Sequence, residues 1–231
     1  MRHGAPRILL YSEQIDGCRV IPIMARRANA AAKPRVLLVG AGGTLGKAVR
    51  RALSRRHEII AASRSGKQRV DITDSASIRR LFATIGTVDA IACAAGSAHF
   101  APLADMTEAS YAIGLRSKLM GQVNLSLIGC EHLADGGSIT LISGILGEQP
   151  IRTGSSASMV NGAIEAFVRA AAIELPRGIR INAVSPNVFI ESWPEYGPYF
   201  NGFEPVPAAR AALAFVRSID GGQSGQVYKV Y

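Results

Sequence analysis

From residue 35 onward, short apolar runs alternate with longer stretches of helical period. Residues 36–39 are four apolar positions in a row, the length of a strand buried on both faces. Residues 58–62, 88–93, 138–143 and 179–184 read the same way, residues 69–72 as a shorter third strand, and 226–230 as the last. Between them the spacing predicts helices over 45–56, from a cap at Asp74 or Ser75 through Phe82, over 107–132, over 155–174 and over about 207–218. A stretch rich in Pro, Gly and aromatic residues, 186–206, reads as a loop. Strand–helix alternation of this kind predicts an α/β fold: a doubly wound parallel sheet of about seven strands flanked by helices, with right-handed crossovers. Ligands of such sheets lie outside the carboxyl ends of the strands, where the strand order reverses.

The first strand runs into Gly40-Ala41-Gly42-Gly43-Thr44-Leu45-Gly46, spaced G-x-x-G-x-x-G, and a helix follows. Gly40 can turn tightly without a Cβ. Gly43 lets the backbone approach a diphosphate, and Gly46 lets the helix pack on the strand. The free N–H groups at the helix start, Thr44, Leu45 and Gly46, then face the anion. The motif alone is weak. A strand before it and a helix after it, at the head of a βαβ pattern, make it a dinucleotide site. The second strand ends Ala61-Ala62-Ser63-Arg64-Ser65, with no Asp or Glu to bind ribose hydroxyls. The planar donors of Arg64 suit a 2′-phosphate, with Ser63 and Ser65 adding hydroxyls, so the expected cofactor is NADP rather than NAD. The alternative leaves Arg64 as an ordinary surface residue.

Composition changes this picture little. The chain has 231 residues, 48% hydrophobic and 6% aromatic, which suits one α/β domain over residues 35–231. Of the formal charge of +9, more than half lies in residues 1–35, where seven basic side chains stand against Glu13 and Asp16. Residues 1–34 thus read as a basic extension whose order the sequence leaves open, with Met24 a candidate start. No basic stripe with interleaved aromatics follows, so no nucleic-acid partner is expected. Cys18, Cys93 and Cys130 are widely spaced without CxxC, which points to a reducing compartment and away from disulfides or zinc. No apolar run reaches about 20 residues and no His cluster suggests a metal. A cytoplasmic protein without membrane or metal partners is the expectation.

Several ordered segments after residue 35 resemble the short-chain dehydrogenase/reductase family, whose sheet is Rossmann-like. Val70-Asp71-Ile72-Thr73 is similar to the family segment whose Asp contacts adenine. Cys93-Ala94-Ala95-Gly96 is similar to Asn-Asn-Ala-Gly with both asparagines lost. Leu141-Ile142-Ser143-Gly144 resembles the strand bearing the catalytic serine, and 180–186 the stretch leading to Pro-Gly, with Asn187 after Pro186 in place of glycine. Gly225-Gln226-Val227 resembles the last strand. The resemblance implies hydride transfer between nicotinamide and a small carbonyl or alcohol substrate. It places Asp71, Ile72, Ala94, Ala95, Gly96 and Pro186 around the cofactor. It also implies a homodimer or homotetramer, paired through the helices flanking the fifth strand. Small residues at Ser158, Gly162, Ala166 and Ala170 would permit that pairing, or would merely pack on the sheet.

The family's proton donor is a tyrosine with a lysine four residues on, and Y-x-x-x-K occurs nowhere in this chain. Two registers are open for the fifth-strand helix: one puts Ala157 and Asn161 at the pair, the other Ser155 and Met159. On the preceding helix Lys118-Leu119-Met120-Gly121 resembles Asn-Leu-x-Gly. In the first register the amide and the ammonium have thus exchanged helices. Lys118 would serve the carbonyl oxygen, Asn161 the nicotinamide ribose, and Ser143 the substrate. Against this stand Lys118 as a solvated residue and the whole chain as an NADP-holding sensor or scaffold without turnover. Tyr196 and Tyr199 are either substitute phenols or pocket wall, and His99 a loop residue without a role.

Overall fold

The computed structural model describes residues 32–231; the basic segment before them, with Cys18 and Met24, lies outside the described residues. Seven strands form one parallel sheet: β1 (Arg35–Val39), β2 (Glu58–Ser63), β3 (Gln68–Arg69), β4 (Val88–Cys93), β5 (Leu133–Ile142), β6 (Arg180–Pro186) and β7 (Val227–Val230), in the order β3-β2-β1-β4-β5-β6-β7. This is the Rossmann-like doubly wound sheet, and its order reverses between β1 and β4.

Alternation along the strands gives each face its own core. Leu37, Val39, Ile91, Cys93, Ile139 and Leu141 face one side, where Ile78 and Phe82 of helix α2 (Ser75–Ile85) and Ile164 and Val168 of helix α5 (Ser155–Ala171) cover them. Val36, Leu38, Ala90 and Ala92 face the other side. There Val49 and Leu53 of α1 (Thr44–Leu53) meet Ala211, Phe215 and Ile219 of α7 (Ala208–Asp220). Both layers are built of buried apolar side chains, as parallel strands covered on both faces require. Arg35 ties the start of β1 to the end of α2, with its guanidinium donating to the carbonyls of Ile85 and Thr87 and its N–H to Asp89.

Four departures from the expected elements matter. The third strand pairs only through Gln68 and Arg69. Asp71 then accepts from the N–H and hydroxyl of Thr73, and this local turn takes the backbone out of the ladder. The expected single helix over 107–132 is three pieces: α3 (Glu108–Gly114), a π-helical turn (Leu115–Met120) and α4 (Gly121–Cys130). The π turn sits where Lys118 lies over Gly96 and Gly121 over Ile72. The helix expected over 155–174 ends at Ala171. The loop over 186–206 is not structureless: it holds short turns at Ile190–Ser192 and Gly197–Tyr199 and the one-turn helix α6 (Trp193–Tyr196). No helix among the described residues is long and apolar enough to cross a membrane.

Candidate functional site

The glycine-rich turn is built by contacts that a side chain would break. Gly40 has φ +84°, and a Cβ there would stand 2.6 Å from the Ala94 carbonyl oxygen. A Cβ on Gly46 would stand 2.1 Å from the Gly40 carbonyl oxygen, so the helix could not lie so close to the strand end. Gly42 and Gly43 are different: nothing lies within 4 Å of a Cβ on the first, and only the Gly40 oxygen, at 3.6 Å, on the second. Their freedom is toward the cavity. No side chain caps α1 and no acid stands in its first turn, so its opening N–H groups and dipole remain for an anion.

A cavity of about 480 Å³ runs from this turn across the switch point. It brings together Gly40, Gly43, Ser63, Arg64, Ser65, Asp71, Ile72, Ala94, Ala95 and Gly96 of the expected cofactor residues, and adds Ser97 and Ser117. Thr44, Leu45 and Gly46 lie outside its walls: Leu45 is core, Gly46 is packed on the turn, and Thr44 opens beside α7. What they can still offer an anion is backbone N–H. The Thr73 hydrogen bonds hold the Asp71 carboxyl below the ordinary carboxylate range, with Arg64 adding a smaller share, so Asp71 is an acceptor at neutral pH. The residues present therefore fit a dinucleotide: an uncapped helix start for the diphosphate, a serine-flanked arginine, and an acceptor beyond it.

The cavity meets a second one, of about 410 Å³, at Gly96 and Ser97. Lys118, Asn161, Ser143, Gly144, Pro186 and Tyr196 are among its lining. Ala157 and Asn161 both face it, whereas Ser155 bonds the Tyr111 hydroxyl and Met159 is exposed, so the first of the two helix registers is the one that points at the cavity. Tyr199 and His99 are not among its lining, and Tyr199 opens instead beside Pro150 and Phe203. Burial raises the Tyr196 phenol above its ordinary value, with Glu195 adding to the shift.

Lys118 is held from three directions. Its stem lies on Gly96, where a Cβ would come within 2.9–3.1 Å of its backbone and side chain. Its Nζ donates to the Ser143 carbonyl at 3.0 Å. Its own carbonyl accepts from Gln122, whose side chain also donates to the Ile142 carbonyl and accepts from the Ile142 N–H, each at 2.9 Å. Among the described residues it makes no ion pair. Burial brings its ammonium from the ordinary 10.5 down to about 8. The same burial pushes the Cys93 thiol up to about 12.

The Ser143 hydroxyl already has partners inside the protein. The sequence suggests a hydroxyl that orients substrate. In the structure the hydroxyl is buried and donates to Glu165 Oε1 at 2.9 Å and, more weakly, toward the Val184 carbonyl at 3.3 Å. Strand alternation is the reason, since Ser143 follows Ile139 and Leu141 onto the face covered by α5. Ser143 lines the cavity, and its carbonyl accepts from Lys118 there. Gln122 and Glu165 are the residues that sequence reasoning missed. Glu165 was within reach, four residues beyond Asn161 on the same helix face; a lone Gln122 carries no signal.

A parallel sheet with an uncapped, glycine-rich first turn and a cavity at its switch point defines a dinucleotide-binding protein of the Rossmann class. The family model described as Enoyl-(Acyl carrier protein) reductase matches residues 27–212, and the chain belongs to the short-chain dehydrogenase/reductase family of oxidoreductases. The crystal structure of the protein lin1944 from Listeria innocua is similar at 51% identity and TM-score 0.85, over 86% of this chain and 100% of that one. A small-chain dehydrogenase in complex with NADPH is similar at 27% identity and TM-score 0.78, over 86% of this chain and 96% of that one. An uncharacterized oxidoreductase of Methylorubrum extorquens is 31% identical over 106 residues, which are 46% of this chain. The chain spans 43% of the length of that curated relative.

Proposed function

We propose that this protein is an NADP-dependent reductase or dehydrogenase of a small, mostly apolar carbonyl or alcohol, in which Lys118 replaces the tyrosine as proton donor. The carrying observation is the junction at Gly96 and Ser97, where the cavity that fits a dinucleotide opens into the one holding Lys118 and Asn161. Bound there, NADP would supply or accept the hydride. Gly43 and the N–H groups of Thr44, Leu45 and Gly46 hold the diphosphate. Arg64, Ser63 and Ser65 hold the 2′-phosphate, which favours NADP over NAD, and Asp71, Ile72, Ala94 and Ala95 enclose the adenine side.

When the carbonyl carbon is reduced, negative charge grows on its oxygen. Lys118 stabilises that charge and passes a proton from Nζ; the Ser143 carbonyl and Gly96 keep the amine in place. An ammonium near 8 is close enough to neutral pH to give its proton up and recover it. Asn161 binds the nicotinamide ribose, with Pro186 closing that end, and Tyr196 with Phe200 forms wall. The small-residue face of α5 pairs copies into a dimer or tetramer, in the cytoplasm.

The test is single-turnover oxidation of bound NADPH against a panel of aldehydes and ketones. The wild type oxidises NADPH with at least one of them, and Lys118→Met slows that reaction by about 10²-fold or more. Unchanged turnover and NADPH affinity in Lys118→Met would remove the lysine from the chemistry. A second reading, an NADP-holding sensor, draws on Ala157 and Asn161 standing at the family's tyrosine and lysine positions and on the buried Ser143 hydroxyl. It predicts tight NADPH binding with no oxidation by any carbonyl.

A further inference from the structure

We propose that Lys118 is also a nucleophilic amine, which condenses with small apolar aldehydes and ketones to form an imine in the cavity between Gly96 and Asn161. Four observations converge. Lys118 is the one charged side chain among the described residues lining that cavity, whose other walls are mainly backbone and apolar groups such as Ala98, Phe100, Ile145 and Phe200. Its stem is fixed against Gly96 on a π-helical turn, a distortion that recurs at functional sites. Its head is held by a neutral carbonyl, not a carboxylate, so no counter-ion among the described residues keeps it protonated. Asn161 lines the cavity, and its Oδ1 is buried without a hydrogen-bond partner among the described residues.

Lys118 is half-buried in a mostly apolar cavity, and partial desolvation in an apolar pocket is the setting that favours an imine-forming amine. Its Nζ lone pair attacks the carbonyl carbon, and the C–N bond forms as the carbonyl π pair moves to oxygen. A proton from nitrogen passes to that oxygen and gives the carbinolamine, whose hydroxyl Asn161 Oδ1 can accept. Loss of water then leaves the imine. No oxidant or reductant enters the step. The reaction also needs no coenzyme, so it goes beyond hydride transfer and stands or falls apart from it.

The neutral amine must be present near physiological pH. Among the described residues, the Cys93 thiol at the end of β4 interacts with Lys118, and the Tyr196 phenol from α6 lines the same cavity. Burial raises both, so each stays neutral there. The Glu165 carboxylate stands behind Ser143 and is engaged by its hydroxyl. Burial holds Lys118 near 8. At pH 7.5 about a quarter of such an amine is unprotonated, against roughly one in a thousand for an ordinary lysine.

The experiment incubates the full chain, free of coenzyme, with propanal or benzaldehyde and sodium cyanoborohydride, and maps the alkylated peptides by mass. Lys118 is expected to be labelled at least about tenfold faster than exposed Lys47 and Lys67. That rate should rise with pH around 8, the value burial gives Lys118. Lys118→Arg keeps the charge and should lose this label, while Lys47 and Lys67 react as before and circular dichroism is unchanged. Labelling of Lys118 no faster than of Lys47 and Lys67 with both probes overturns the proposal. NADPH retention is measured on the same sample. Fast labelling without retention leaves the amine and removes the coenzyme reading; retention without fast labelling does the reverse.

Discussion

Ser143 ends the run of β5, and strand alternation decides what its hydroxyl can reach. The motif pattern around it places a serine at the end of the fifth strand, and a period of two puts its side chain on the α5 face, against Glu165. Asn161 was legible for the complementary reason: a helix repeats its face every three to four residues, so Ala157 and Asn161 had to point together. Gln122 was illegible because nothing in its neighbours marks it, yet its fully buried amide satisfies Ile142 and Lys118 at once. Gln122→Met keeps the volume and removes a partner from three backbone groups. It should therefore lower unfolding free energy by at least about 2 kcal/mol in urea titration, since each orphaned buried group costs about 1–3 kcal/mol. A loss no larger than that of an exposed substitution would show that those backbone groups find other partners. Lys118 carries a pH signature of its own. Its folded value, near 8, lies below the ordinary 10.5. The unfolded chain therefore binds more protons in that interval, and stability must rise with pH there. The stability difference between wild type and Lys118→Met should shift toward the wild type from about pH 8 to 10.5, and a flat difference would mean the amine is not desolvated.

Elements were legible where burial forces a pattern. β1, β2, β4 and β6 lie within a residue or two of the expected strands because their apolar runs have to fill both cores. The π turn was not, since a slip in hydrogen bonding leaves the apolar period almost intact; nor was the shortness of β3, which depends on one side chain bonding to the backbone. The first turn joins sequence and function most directly, and its glycines divide into two kinds that mutation can separate. Gly46→Ala drives a Cβ into the Gly40 carbonyl at 2.1 Å, backbone against backbone, and neither can retreat without parting α1 from β1. The outcome expected is a protein that unfolds at markedly lower temperature or fails to fold. Gly43 has φ −76° and open space, so Gly43→Ala folds normally. Its new methyl occupies the approach to the helix start, and NADPH affinity should fall by about tenfold or more, the cost of lost contact with an anion held by backbone N–H groups. Calorimetric melting and fluorescence titration read the two effects independently. Equal NADPH binding by wild type and Gly43→Ala would mean that the diphosphate does not lie on this turn.

At the scale of the molecule, the open question is what covers α5. Its inner face is committed to the sheet through Ile164 and Val168, and no described residue covers its outer face. Among the described residues nothing lies within 4 Å of where a Cβ on Gly162 would stand, so its smallness answers no need among them. Ala166 and Ala170 are exposed beside it, and Met159 is 42% exposed. On the neighbouring segment Met120 is 43% and Leu127 59% exposed. Apolar side chains scattered singly over a surface need no explanation, but here they flank a stripe of small residues on two adjacent elements. Two such faces can approach closely about a twofold axis, where each stripe accepts the other's larger neighbours. A long charged side chain at the centre of that contact would meet its own copy. Gly162→Arg should therefore convert a dimer or tetramer to a smaller species in light scattering while circular dichroism stays that of the wild type, because the position tolerates any side chain in the single chain. An unchanged particle mass would place the association elsewhere or show that the wild type is a monomer. Since Asn161 precedes Gly162 directly and lines the cavity, pairing on this face would also brace the wall opposite Lys118. Turnover that falls in parallel with dissociation would then report that the cavity depends on the second copy.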